Sequence, residues 1–280
     1  MRIAVSGATG FIGQHVLREM RARGIEPTAI TRRPPQSCDS TTSEWVVMDI
    51  ANHPPNPFEA MGRPDVLVHL AWGGLPNYQS DHHVETELPA QLEFLTSCIR
   101  GGLRRLVVTG TCYEYGLLSG KLTEDLRTEP CTQYGIAKDT LRKELIDLKT
   151  RYDFNMAWLR LFYTFGEGQS EKSLHRMLRA AIDQGASTFD MSGGDQLRDF
   201  LPIEEVARII AEIALREDAM GVINVCSGRP TSIRDLAQSW VEELGATITL
   251  NFGRLPYSPQ EPMDFWGDRR KLDSILADDA

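Results

Sequence analysis

The sequence lacks several features, and each absence removes a class of function. It has no excess of positive charge: 30 Lys and Arg stand against 39 Asp and Glu, a net charge of −9 at pH 7. No broad basic surface is left for nucleic acid, and an anionic ligand must be held by local groups. It has no cysteine pairs either. Cys38, Cys98, Cys112, Cys131 and Cys226 are odd in number, scattered and without a Cys-x-x-Cys spacing, which suits neither a disulfide framework nor a zinc or other metal site and fits a reducing compartment. No apolar run approaches bilayer length, and Met1 leads within one residue into a strand-like run and a glycine turn, leaving no room for a signal peptide. A cytoplasmic protein without membrane or nucleic-acid partners is expected. Repeats and low-complexity tracts are missing too. A chain of 280 residues can bury a large core, so one main domain with a smaller lobe is the natural expectation.

What the sequence does contain is alternation. Ile3 to Ser6, Thr28 to Thr31, Trp45 to Met48, Val66 to Leu70, Leu106 to Thr109 and Met156 to Phe162 are short β-branched runs that read as strands. Helical patterns separate them, which predicts an α/β fold with a parallel, doubly wound sheet. Ile12, Val16, Leu17 and Met20 recur at helical spacing, and Gly24 supplies a stop. Leu88, Leu92, Leu95 and Ile99 predict a helix over 86–100. In 132–150, Tyr134 and Lys138 share a helix face with Leu141, Leu145 and Leu148, so their polar heads must point into a cleft. A helix over 203–217, opened by Pro202, a strand at Val222 to Val225, and a last helix from Ser232 to about Gly245 follow. The expected division is a dinucleotide-binding domain over 1–165 with 197–228 returning to it, and a substrate-binding lobe from 166–196 and 229–280.

Ser6-Gly7-Ala8-Thr9-Gly10-Phe11-Ile12-Gly13 stands between the first strand and the first helix. Without side chains the backbone can approach a pyrophosphate, whose charge the helix N-terminal amides meet; any tight turn could also use such glycines, but the first βα junction is the Rossmann position. The second strand ends in Thr31-Arg32-Arg33, where NAD enzymes place a carboxylate for the ribose hydroxyls. Two guanidiniums suit a 2′-phosphate, so NADP(H) is the expected coenzyme; the alternative is a solvated basic loop.

Tyr134-Gly-Ile-Ala-Lys138 is a Y-x-x-x-K pair, and Thr111 lies upstream at the end of the fifth strand, within Val108-Thr109-Gly110-Thr111-Cys112-Tyr113-Glu114-Tyr115-Gly116. Together with Asp49-Ile50, His69-Leu70-Ala71, Arg160-Leu-Phe162, Gly166, Arg198-Asp199-Phe200, and Asn224 followed by Ser227-Gly228, these residues resemble the extended short-chain dehydrogenase/reductase family, nucleoside-diphosphate-sugar branch. The resemblance covers nearly the whole chain. It implies that Gly7, Thr9, Gly10, Phe11, Ile12 and Gly13 hold the pyrophosphate and that Asp49 and Ile50 embrace the adenine. Leu70, Ala71, Trp72, Thr109 and Phe162 would lie along the cofactor with Tyr134 and Lys138. Thr111, Tyr113, Tyr163, Trp72 and Arg198 would meet the substrate, Arg198 at its diphosphate, and the protein would pair as a homodimer. His69 can instead be a satisfied core histidine and Arg198-Asp199 a surface ion pair.

The chemistry follows from need. A phenol of ordinary pKa near ~10 exchanges protons poorly at neutral pH, so Lys138 is expected to lower the pKa of Tyr134, the acid, while Thr111 orients the carbonyl. Cys112-Tyr113 replace the Asp-Glu pair of the family's 4,6-dehydratases, which argues against dehydration, and Cys112 reads as a buried thiol. Tyr163 stands for the asparagine of many relatives and Tyr257-Ser258 for a basic residue, with Arg254 or Arg269 as substitutes. The runs His69 to Tyr78 and Glu261 to Trp266 most resemble bacterial dTDP-4-keto-6-deoxyhexose 4-reductases, the dTDP-fucose synthase group; Trp72, Tyr78 and Trp266 are pocket candidates. NADPH-dependent reduction of the C4 ketone of a nucleotide-activated 4-keto-6-deoxy sugar, dTDP-4-keto-6-deoxyglucose first, is therefore expected. The alternatives are a UDP-sugar 4-epimerase with bound NAD and a non-catalytic NADP(H)-sensing regulator.

Overall fold

The computed structural model describes residues 1–33, 45–257 and 261–277; Cys38 and Ser258 lie outside them. Seven strands form the central sheet: β1 (Ile3–Ser6), β2 (Thr28–Thr31), β3 (Trp45–Val47), β4 (Val66–His69), β5 (Arg105–Thr111), β7 (Asn155–Leu161) and β12 (Gly221–Val225). Their order is β12-β7-β5-β4-β1-β2-β3, and every pairing is parallel. β1 and β4 are buried along their whole length, as strands covered on both faces must be. The order reverses direction between β1 and β4, and in such sheets ligands bind at that crevice, outside the carboxyl ends of the strands.

One face of the sheet is covered by α1 (Phe11–Ala22) and α6 (Ile203–Leu215). Val16, Leu17 and Met20 of α1 meet Val206, Ile209, Ile210 and Ile213 of α6 in one core cluster. The other face is covered by α2 (Pro57–Ala60), α3 (Leu88–Gly101) and α4 (Gln133–Leu148). Phe94, Leu95 and Ile99 pack there with Leu141, Leu145 and Leu148. The leucines of α4 are thus spent inside the chain. Thr132 caps α4, its Oγ1 accepting from Gly135 N at 3.0 Å, and this fixes where Tyr134 and Lys138 start their turn.

The remaining elements are short. β8 (Tyr163–Phe165) pairs with β11 (Phe200–Pro202), and β10 (Leu197–Arg198) with β13 (Thr231–Ser232). α5 (Leu174–Asp183), α7 (Ile233–Glu243) and the pair β9 (Thr188–Asp190) with β14 (Thr249–Asn251) close a separate core around Leu178, Met191, Leu236 and Trp240. The tail does not stay with that lobe. β15 (Phe265–Gly267) pairs with β6 (Gly120–Leu122), and α8 (Arg270–Ala277), unexpected from the sequence, packs Leu272, Ile275 and Leu276 into the α1/α6 cluster.

Two further boundaries differ from expectation. β5 runs two residues past Thr109 and carries Thr111 as its last residue. Ahead of α3 the chain makes a π-helical turn, His83–Glu87, so the helix opens at Leu88 instead of 86. A π turn holds an extra residue, and the 3.6-residue periodicity that predicts helices does not register it. Among the described residues no helix is long and apolar enough to cross a membrane.

Candidate active site

The turn after β1 is built so that something can approach its backbone. Gly7 sits at φ +69, and a Cβ there would lie 2.7 Å from Ala71 N; a Cβ at Gly13 would lie 2.2 Å from Gly7 O. Only glycine fits either place. Gly10 is the N-cap of α1 and supplies no side-chain acceptor, and the first turn carries no acidic residue, so the helix's leading amides and its positive end are left for an anion. These features fit a dinucleotide pyrophosphate. Thr9 Oγ1 lies 3.1 Å from Thr31 Oγ1, which ties the turn to the end of β2. Arg32 and Arg33 follow with exposed side chains, and Arg33 N donates to Thr31 Oγ1 at 3.3 Å. Asp49 is exposed and accepts from Ala51 N at 3.1 Å, while Ile50 packs partly into the α3/α4 core. Phe11 and Ile12 lean on the α1/α6 core. The Phe162 ring lies 6.3 Å from those of both Tyr115 and Phe265.

Lys138 reaches the carboxyl end of β5 at Thr109, Thr111 is that strand's last residue, and the Tyr134 ring lies 6.5 Å from that of Tyr113 just beyond it. Thr111 closes the strand and caps the turn after it; its Oγ1 accepts from Tyr113 N at 3.3 Å and its own N donates to Glu114 Oε1 at 2.9 Å. Lys138 is 1% exposed, and its Nζ donates to the Thr109 carbonyl at 2.8 Å. The same nitrogen lies 4.0 Å from the Trp72 ring centroid and 5.9 Å from that of Tyr134. Burial lowers the Lys138 pKa to about 7, against the pull of Glu114 and Glu87. Burial also pushes the Tyr134 phenol up, with Tyr78, Glu114 and Cys112 adding to it. The expected depression of that phenol by Lys138 does not offset its burial: desolvating a phenolate costs more than the ammonium, 5.9 Å from the ring centroid, returns. Tyr134 is enclosed by rings, with His83 at 5.3 Å, Tyr78 at 5.6 Å, Trp72 at 5.9 Å and Tyr113 at 6.5 Å.

His69 is fully buried between Ser6 Oγ, 2.8 Å from its Nδ1, and Gln91 Oε1, 2.7 Å from its Nε2. A carbonyl oxygen can only accept, so Nε2 carries the proton and Nδ1 accepts from Ser6. Burial and then Lys138 lower its pKa to about 3. Both ring nitrogens are satisfied and the residue is neutral.

Three of the expected substrate contacts, Tyr113, Tyr163 and Arg198, gather around a residue that had no assigned role, Glu261. Its Oε1 accepts from Tyr113 OH at 2.9 Å and its Oε2 from Arg198 Nη2 at 3.0 Å; Tyr163 OH lies 3.4 Å from Tyr113 OH. Arg198 is 1% exposed, stacks 4.6 Å over Phe265 and leaves Nε without a partner. Arg198 and Asp199 are not a surface ion pair. Asp199 is fully buried and accepts from the amides of Ser227, Gly228 and Gly267 and from Ser227 Oγ. Arg269 is taken by the Cys226 carbonyl and Asp273, and Arg254 is exposed; neither joins the Glu261 cluster. Burial pushes the Cys112 thiol well up, so it stays protonated.

A glycine cradle at the reversal point of a seven-stranded parallel sheet, with an inward lysine and a buried tyrosine across the crevice, defines a dinucleotide-binding protein of the Rossmann type. The chain belongs to the NAD dependent epimerase/dehydratase family, whose model matches residues 3–226. It is 27% identical over 270 residues, 95% of this chain and 99% of the relative, to dTDP-6-deoxy-L-talose 4-dehydrogenase (NAD(+)) of Aggregatibacter actinomycetemcomitans. Over 298 residues, 93% of this chain and 82% of the relative, it is 24% identical to UDP-glucose 4-epimerase of Azospirillum brasilense. Its fold is similar to that of MoeE5 in complex with UDP-glucuronic acid and NAD, at TM-score 0.83 and 24% identity, covering 99% of this chain and 93% of the other.

Proposed function

We propose that the protein moves hydride between a nicotinamide dinucleotide and C4 of a nucleoside-diphosphate hexose. The observation that carries this reading is the buried Lys138 ammonium on the Thr109 carbonyl, one helical turn from Tyr134 and at the carboxyl end of β5. A bound nicotinamide would give or take the hydride. Tyr134, held protonated by burial, donates its proton to the alkoxide that develops on reduction and takes it back on oxidation, with Lys138 supplying positive charge nearby. Thr111 would orient the sugar oxygen, and Tyr113, Tyr163 and Arg198 would bind the substrate once Glu261 yields Arg198 to a phosphate.

Two forms of this chemistry are open. The relatives named 4-dehydrogenases, one with NAD(+) and one with NAD(P)(+), support net transfer; in our reading it runs in the reducing direction on a dTDP-4-keto-6-deoxy sugar, with NADPH drawn to Arg32 and Arg33. Redox-neutral 4-epimerisation of a UDP-sugar, which would keep its NAD, has at least equal support, from a relative and a solved structure named 4-epimerases. The test uses purified protein with dTDP-4-keto-6-deoxyglucose and NADPH, and separately with UDP-glucose. Stoichiometric coenzyme oxidation establishes the net form; C4 interconversion without coenzyme turnover, in protein carrying NAD, establishes the neutral one. Tyr134→Phe should abolish either while coenzyme still binds. Coenzyme binding without turnover of any nucleotide sugar would overturn the proposal and leave a sensor. The homodimer belongs to the same proposal and is tested by light scattering.

A further inference from the structure

Lys138 is a buried cation without a carboxylate of its own. Charged and titratable groups face it from every side: Tyr134 on its own helix, His69 at the end of β4, His83 and Glu87 on the π turn, and Glu114 beyond β5. Both carboxylates are engaged elsewhere. Glu114 takes Arg160 Nε at 2.8 Å and Trp158 Nε1 at 2.9 Å, and Glu87 takes Gln91 Nε2 at 2.9 Å and faces His82 Nε2 at 3.2 Å. Among the described residues no carboxylate forms an ion pair with the ammonium. Its electrostatic partner is the face of Trp72, 4.0 Å away, close enough for a strong cation–π contact in a desolvated place.

Trp72 is itself keyed. His83 is fully buried, and its Nε2 lies 2.9 Å from the Asn77 carbonyl. That oxygen can only accept, so Nε2 carries the proton and Nδ1 is left as the acceptor for Trp72 Nε1–H at 3.1 Å. The two rings lie nearly parallel, at 29°. The local backbone is shaped for this. The π turn swings His83 inward, and a Cβ at Gly74 would lie 3.1 Å from His83 Cε1 and 2.8 Å from His82 Cδ2, at φ +81. A protonated His83 would set a second N–H against the indole N–H; burial first of all lowers its pKa and keeps it neutral.

We propose that Trp72, locked by His83, is the seat that positions the Lys138 ammonium, making Trp72 and His83 positioning residues for the hydride chemistry. The inference rests on the function proposed above. A carboxylate in that seat would pin the lysine as a permanent ion pair; an aromatic face holds the amine in place yet leaves it able to titrate in the neutral range.

The test reads the contact before it reads turnover. The emission of Trp72, taken as wild type minus Trp72→Phe, should follow a titration centred near pH 7 that Lys138→Met abolishes. His83→Leu should disturb it and His83→Gln restore it, since a glutamine can accept from the indole and donate to the Asn77 carbonyl. Trp72→Leu should move the alkaline fall of kcat in ketone reduction about one pH unit lower, because the charged amine loses its partner. Circular dichroism and coenzyme titration confirm that each variant folds. A Trp72 emission titration that persists in Lys138→Met, or a Trp72→Leu enzyme with the wild-type pH profile, would overturn the inference while leaving the hydride reading in place. Absence of turnover alongside an intact emission titration would reject the hydride reading, and with it the catalytic purpose of the seat.

Discussion

Lys138 Nζ and the Thr109 carbonyl lie 2.8 Å apart, a hydrogen bond from α4 to β5 that holds a charged group where water cannot solvate it. The arrangement costs stability. Folded, the lysine has a pKa near 7 against the ordinary 10.5, so between those values the unfolded chain binds a proton that the folded chain has released. Stability from this group therefore rises with pH across that window, and the full penalty applies below it.

Lys138→Met should consequently stabilise the protein at neutral pH. The penalty removed is at most ~1.4 kcal/mol for each pH unit between the two values, and leaving the Thr109 carbonyl without its donor gives back ~1–3 kcal/mol. A net gain of roughly 2 kcal/mol at pH ~7 is expected, shrinking as the pH approaches ~10. Urea unfolding of both proteins at the two pH values measures it; a variant less stable than wild type at neutral pH would contradict the argument.

Glu114 predicts the opposite outcome. It is fully buried, with Arg160 Nε at 2.8 Å and Arg142 Nε at 3.4 Å. Glu114→Gln keeps an acceptor but removes the negative charge, leaving buried guanidinium charge unbalanced at a cost of ~3–5 kcal/mol. The midpoint of thermal unfolding should drop by roughly 10 °C. Glu114 also closes the cap on Thr111, so kcat should fall along with stability in the folded variant.

What could be read from the sequence were the relationships that are local or periodic. The glycine turn, the strand–helix alternation and the shared face of Tyr134 and Lys138 each lie within a few residues, and one parallel-sheet architecture satisfies them all. The contacts that complete the site are of another kind. Glu261 meets Arg198 across 63 positions of chain and Tyr113 across 148, and no periodicity announces such a meeting. His83 turns inward because a π turn breaks the 3.6-residue register. The seat of Lys138 is an indole, a residue type that burial alone would explain. The Glu261 contacts satisfy polar atoms across long stretches of chain, and an accounting of buried donors and acceptors would have demanded a partner without naming it.

Gly7→Ala tests the cradle against a control in the same chain. At Gly7 a methyl would meet backbone at Ala71 and adopt φ +69; at Gly24, with φ +74, nothing lies within 4 Å. Both substitutions carry the left-handed penalty of ~1–2 kcal/mol, but only the first must push the Leu70–Ala71 backbone away from the turn. Calorimetric titration should show coenzyme affinity falling more than ~10-fold in Gly7→Ala and unchanged in Gly24→Ala. Equal affinities in the two variants would mean that the turn does not hold the dinucleotide.

Arg32 and Arg33, proposed to choose the coenzyme, leave the end of β2 beside the Thr9–Thr31 contact. A 2′-phosphate brings close to two negative charges, and an exposed guanidinium that meets it gains a charge-assisted, bidentate hydrogen bond. NAD offers hydroxyls in the same place, which favour a carboxylate. Arg32→Asp should thus lower kcat/KM for the phosphorylated coenzyme and raise it for NAD(H), and salt should erode the wild-type preference because the pair is exposed. Loss of one such contact is worth ~1.5–3 kcal/mol, a factor of roughly 10–100. Steady-state rates with both coenzymes, for wild type and variant, decide it. Better use of NADH by the wild type would show that the two arginines are solvated side chains with no part in choosing the coenzyme, and would favour the redox-neutral form of the reaction, in which a retained NAD never has to be told apart from its phosphorylated counterpart during turnover.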